Sequence, residues 1–184
     1  MIELPNLSRR KFIQLGLVGA TCLALRPEVA FARAQPRMKE LAFYNLHTDE
    51  KLRITYWKDG GYDRAAMAKI NHILRDFRSG DVYPMSANLI DLLHDLQAKM
   101  RTDSVIEIIS GYRSPQTNEM LSNNSDGVAR KSYHTKGVAT DIRMRGVSLR
   151  RLQMQALFMS RGGVGYYPKS DFVHVDVGPV RRWG

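Results

Sequence analysis

The chain has a single cysteine, Cys22, among 184 residues, so it has no pair for a disulfide and no set of thiolates for a metal. A zinc site here must draw on histidines and carboxylates. No apolar run reaches the roughly 18 residues of a membrane-spanning helix. Internal repeats and low-complexity segments are missing too. Acidic residues are in deficit, 18 against 28 lysines and arginines, for a formal charge of +10. With 43% hydrophobic and 25% charged residues the composition is that of a soluble globular protein, neither disordered nor collagen-like. The length suits one ordinary domain.

The first thirty-odd residues have the layout of an address. Arg9, Arg10 and Lys11 precede a short apolar stretch from Phe12 to Leu25, which shows no polar face at helical spacing. Ala30-Phe31-Ala32 and Ala32-Arg33-Ala34 then offer two overlapping small-x-small sites. A charged head, an apolar middle and a small-residue exit make a secretory signal. The paired arginines followed by Lys-Phe-Ile resemble the twin-arginine export signal, and Arg26 discourages the general secretory route. Gly19-Ala20-Thr21 lacks the apolar residue that lipid attachment at Cys22 would need. We therefore expect residues 1–34 to be a signal peptide and 35–184 a single domain in the periplasm, with no membrane insertion after signal removal. Beyond residue 34 there are 23 basic and 16 acidic residues, a net +7. An exported basic chain meets no cytosolic nucleic acid, and the anionic polymers around it are those of the cell wall. The same charge also serves plain solubility.

The remainder mixes helix and strand patterns. Leu41–Leu46 and Lys51–Trp57 alternate apolar and polar residues around His47-Thr48-Asp49-Glu50, which predicts a hairpin. Helical spacing predicts helices over Asp63–Arg78, Ser86–Met100 and Ser148–Arg161. Ser114-Pro115 opens another, with Ser as cap and Pro at its first position. Strands are predicted over Ser104–Ile109, Val138–Met144, Gly162–Tyr167 and Phe172–Val177. The expected fold class is α+β, with a small, mostly antiparallel sheet and helices packed against it.

Of the five histidines, His47, His72 and His94 read as surface or boundary residues in a turn or on amphipathic helices. His134 and His174 differ. His134 sits in Ser132-Tyr133-His134-Thr135-Lys136-Gly137-Val138-Ala139-Thr140-Asp141, a loop leading into a strand, with Gly137 permitting the turn. His174 lies in Phe172-Val173-His174-Val175-Asp176, where alternation puts Phe172, His174 and Asp176 on one face. Polar residues on a buried strand face are costly unless they bind something. Two histidines and one carboxylate suit a catalytic zinc, which keeps three protein ligands and one position for water. The competing reading is that His174 and Asp176 bond only each other while His134 is solvated.

Ser-x-His-x-x-Gly-x-Ala-x-Asp from Ser132 to Asp141, followed by Phe-Val-His-Val-Asp, resembles the zinc D-Ala-D-Ala peptidase family. That family belongs to the lysostaphin, D-Ala-D-Ala carboxypeptidase and hedgehog fold group, and the likeness is closest to its exported murein endopeptidases. Ser110-Gly111-Tyr112-Arg113-Ser114-Pro115, Gly163-Val164-Gly165-Tyr166-Tyr167-Pro168 and Arg181-Arg182-Trp183 also resemble its motifs. The resemblance implies a single zinc peptidase domain over 35–184 and one zinc per chain, held by His134, Asp141 and His174. It also implies Arg113 as the holder of a substrate carboxylate, in keeping with bidentate guanidinium–carboxylate pairing. Ser132 is expected to contact substrate or shape its loop.

For the general base the resemblance offers Asp171, three residues before the last ligand, or Asp176, two after it. Alternation puts Asp176 on the metal face and Asp171 opposite, unless the strand start turns it, which favours Asp176. Asp176 has a second reading, as the group that orients His174. The implied activity is zinc-dependent hydrolysis of peptide cross-links in peptidoglycan by a monomer. The alternatives are a D,D- or L,D-carboxypeptidase or dipeptidase on stem peptides, or a zinc-stabilised wall-binding module without catalysis.

Overall fold

The alternating segments on either side of His47 pair as an antiparallel hairpin of β1 (Met38–Asn45) and β2 (Lys51–Lys58), with Phe43 opposite Leu52. This computed structural model describes residues 37–100, 104–125 and 127–184, so the expected signal peptide over 1–34 lies outside the described residues. A two-residue strand, β3 (Gly61–Tyr62), extends the hairpin at the far side of β2.

Asp63 caps α1 (Arg64–Ile73) by accepting the Ala66 N–H at 2.9 Å. The helix ends five residues before the predicted Arg78. Leu74 leaves the helix, and the buried Asp76 carboxylate accepts the N–H groups of Arg78 (3.0 Å) and Ser114 (2.9 Å). A continued helix would carry Asp76 away from those donors. Burial alone would raise the Asp76 pKa, but hydrogen bonds from Thr117, Ser114 and Arg78 hold it below the ordinary carboxylate value.

Asp76→Ala should therefore leave the buried Ser114 N–H without its acceptor, at about 1–3 kcal/mol, and the part-buried Arg78 N–H without its own, at a smaller cost. The expected loss of roughly 2–4 kcal/mol is readable as a thermal shift of roughly 5–15 °C. Because the folded-state pKa is lowered, the stabilisation is present at neutral pH and fades as pH falls through it. The variant should accordingly lose less stability than the parent on acidification below about pH 4.

Helix α2 (Ala87–Met100) buries Leu89, Ile90, Leu92, Leu93, Leu96 and Met100, more than one face's worth, because it packs on both β1 and a later helix. The chain then returns as β4 (Ile106–Ser110), parallel to β1. Next come α3 (Pro115–Asn123), capped by Ser114 with Pro115 at its first turn, and a 3-10 turn, Tyr133–Lys136. They are followed by β5 (Ala139–Met144), α4 (Leu149–Met159), β6 (Gly163–Tyr167), β7 (Phe172–Asp176) and β8 (Arg181–Trp183).

The sheet runs β3-β2-β1-β4-β5-β7-β6-β8. The class is α+β, but the sheet corrects the expectation of a small, mostly antiparallel one. It has eight strands and is mixed, with β1/β4 and β6/β8 parallel. The crossover through α1 and α2 brings the chain back to the end where β1 began, so β4 must run with β1. Helices α1, α2 and α4 cover one face, where Ile70, Leu89, Leu93, Leu152 and Ala156 join Phe43, Ile108, Ile142, Val173 and Val175 in the core. Alternation turns Asp141, His174 and Asp176 to the other face. Asp141 in β5 faces His174 in β7 directly across the ladder. No described helix is long and apolar enough to cross a membrane.

Candidate metal centre

His134 is fixed by the local chemistry of its turn. Ser132 caps the 3-10 turn by accepting the His134 N–H at 3.3 Å, and Gly137 closes it with φ 65°. A β-carbon on Gly137 would lie 2.5 Å from the Pro84 carbonyl oxygen, so only glycine fits both the angle and the space. The imidazole Nδ1 lies 2.7 Å from the Gly111 carbonyl. A carbonyl only accepts, so Nδ1 carries the proton and Nε2 keeps its lone pair. On that side Arg113 Nη2, which only donates, lies 3.3 Å away, and the two neighbours agree on the tautomer. Gly111 is held tightly in turn, since a β-carbon there would meet the Leu74 carbonyl oxygen at 2.2 Å.

His174 is oriented from its outer edge. Its Nε2 lies 2.9 Å from Asp176 Oδ2, which turns Nδ1 inward to 2.9 Å from Asp141 Oδ1. Asp176 is fully buried and also accepts the N–H groups of Gly163 (3.0 Å) and Gly178 (2.8 Å) and both terminal nitrogens of Arg181. Burial works against its charge, yet His174, Arg181 and those backbone donors hold its carboxyl well below the usual range.

Three atoms converge: His134 Nε2, Asp141 Oδ1 and His174 Nδ1 form a triangle with edges of 3.3, 2.9 and 3.2 Å. Tetrahedral zinc with bonds of about 2.0–2.1 Å needs ligand separations of about 3.3 Å. All three side chains are buried, and they form the one His/Asp/Glu group among the described residues arranged to hold a metal ion. Desolvation pushes the Asp141 pKa up, but the two imidazoles outweigh it and hold the group far below the usual range. Burial lowers the His134 pKa, favouring the neutral form that a metal ligand requires. The donor set and its triangle thus fit a divalent cation.

The cluster lies in a cleft of about 680 Å³. Arg113 and Ser132 line it beside the three donors. Arg113 Nε donates to Ser110 Oγ at 2.9 Å and Nη2 to Asp141 Oδ2 at 2.6 Å. The opposite wall is aromatic. Tyr167 stacks on Phe172 with centroids 4.5 Å apart, and Trp183 Nε1 donates to the Tyr167 hydroxyl at 2.8 Å. Strand alternation puts Phe172 on the face of His174, but nothing in the sequence pattern assigns Tyr133, Tyr167 or Trp183 to the wall. The available signal for Trp183 is Gly165, which admits its ring: a β-carbon there would lie 2.6 Å from the indole.

Asp171 is not among the cleft-lining residues. The start of β7 does turn it, with φ 53°, and its carboxylate accepts from Arg143 at 2.6 Å. Arg143 shares the strand face of Asp141, two residues along β5, so Asp171 reaches toward that face and not away from it. His47, His72 and His94 stay outside the cleft: His47 stacks on Phe77, and His72 and His94 lie near Glu50 and Asp95.

A model of the M15 peptidase family described as peptidoglycan L,D-endopeptidase MepK matches residues 33–183. The chain belongs to this family. The MepK relatives are similar along nearly their whole length. Peptidoglycan L,D-endopeptidase MepK of Escherichia coli K12 is 44% identical over 177 residues, 96% of this chain and 97% of the relative. The probable peptidoglycan L,D-endopeptidase MepK of Haemophilus influenzae is 38% identical, covering 96% of this chain and 95% of its own. No solved structure matches.

Proposed function

We propose that this chain is a zinc-dependent murein endopeptidase that hydrolyses L,D peptide cross-links in peptidoglycan. The observation that carries the reading is the triangle of His134 Nε2, Asp141 Oδ1 and His174 Nδ1 in an open cleft, and MepK membership supports the substrate class. Zinc, when bound by these three residues, supplies a Lewis acid that polarises the scissile carbonyl and makes water acidic enough to attack at neutral pH. Arg113 anchors a substrate carboxylate through its guanidinium, and the Tyr167–Phe172–Trp183 wall covers the apolar parts of the stem peptide. Ser132 shapes the turn that carries His134.

Of the two acids weighed as general base, Asp176 is assigned to orientation. It is packed behind the ring of His174, at Nε2, while the ligand atom Nδ1 is on the other side. Proton removal falls to Asp171, whose carboxylate is accessible and which is turned toward the face of Asp141. Residues 1–34 are read as a twin-arginine signal delivering a monomer to the periplasm, and the domain that follows is taken to have the fold of the hedgehog and D-Ala-D-Ala peptidase group.

Incubation of purified protein with cross-linked muropeptides, with and without a zinc chelator, tests the activity. The expected result is conversion of dimers to monomers that stops with chelator and returns with added zinc. Trimming of monomeric stems alone would favour a carboxypeptidase. Chelator-insensitive cleavage would remove the zinc mechanism, and wall binding with no cleavage would favour a binding module.

A further inference from the structure

Arg181, from the last strand, meets the site from behind. Its Nη2 donates to Asp176 Oδ2 at 2.7 Å and its Nη1 to Oδ1 at 3.1 Å, a fork-on-fork pair. Nη1 also donates to the Pro179 carbonyl at 3.0 Å. The guanidinium plane is held between two rings, 4.7 Å from the centroid of Tyr133 and 5.0 Å from that of Trp183. Tyr133 is the neighbour of His134 in the 3-10 turn, and the Trp183 ring lies 5.1 Å from that of His174. One side chain therefore contacts the carboxylate behind one candidate ligand and the turn that carries another.

Two glycines keep space for this arrangement. A β-carbon on Gly163 would lie 2.5 Å from both Arg181 Nη1 and Asp176 Oδ2, and one on Gly178 would lie 2.8 Å from the Tyr133 ring. Lysine could supply the charge but not the fork or the stacking plane.

We propose that Arg181 is a positioning residue of the metal centre, clamping Asp176 so that His174 presents Nδ1 to Asp141 and His134. This rests on the zinc reading above. Loss of a group that orients a metal ligand typically costs about 10–100-fold in metal affinity.

The test is zinc affinity by chelator competition on full-length protein, with the melting temperature of the metal-free form measured alongside. Arg181→Gln should weaken zinc binding roughly 10–100-fold, and Arg181→Lys should fall between it and the parent. Arg182→Ala, at the exposed neighbouring position, should bind as the parent does. Should Arg181→Gln fail to fold, Arg181→Lys carries the test. Parental affinity in the folded Arg181 variants, even with a lowered melting temperature, would overturn the proposal by reducing Arg181 to a strap for β8. A parent protein that binds no zinc would overturn the zinc reading itself, and this inference with it.

Discussion

Asp141→Asn is expected to give a folded protein that neither retains zinc nor cleaves cross-links. The substitution keeps the volume of the side chain, and its amide oxygen can still accept from Arg113, which donates to Asp141 Oδ2 at 2.6 Å. What disappears is the negative charge at the centre of the donor triangle. That charge matters doubly, because Asp141 is the sole carboxylate among the three donors and lies beside a fixed arginine cation. Two neutral imidazoles next to a guanidinium make a poor site for a divalent cation. The loss in zinc affinity should exceed the roughly 10–100-fold that removal of an orienting partner costs, and activity should fall with it. Zinc content after dialysis, read beside muropeptide turnover, checks both. Full zinc retention would show that the metal is held elsewhere.

The acids Asp171 and Asp176 should separate by what they damage. Asp171→Asn is expected to lower kcat by about 10²–10⁴-fold, the usual range for a general base, with zinc content unchanged. Asp171 has an accessible side chain at the start of β7 and pairs with Arg143 on the surface, so its loss costs little stability. Asp176→Asn should instead lose zinc, since the carboxylate behind His174 Nε2 sets which nitrogen faces the other donors. Measuring zinc content and kcat on the same preparations distinguishes the roles. A fully active Asp171→Asn would return the base to another group or to the solvent.

The pieces of the candidate metal centre are legible because each carries its own local pattern, although His134 and His174 stand 40 positions apart. The turn around His134 advertises itself through Ser132 and Gly137, and strand alternation alone puts His174 and Asp176 on one face. The hairpin of β1 and β2 was equally readable from alternation. What the sequence hid is what depends on distant partners. Asp76 looks like one more helical residue until Ser114, 38 positions later, comes to its carboxylate and ends α1 early. Strand β8 has three residues, too few for a period to show, so Arg181 could not be placed behind Asp176. Alternation cannot place Asp171, because this left-handed residue stands just before β7 and outside its two-residue period. The parallel pairing of β4 with β1 follows from a long helical crossover, which local patterns do not encode.

If His134, Asp141 and His174 together bind one zinc ion, calorimetric titration of zinc into metal-stripped protein will reveal it. One site per chain is expected in the parent, lost in both His134→Ala and His174→Ala. Undiminished binding in both histidine variants, or no binding in a folded parent, would contradict it.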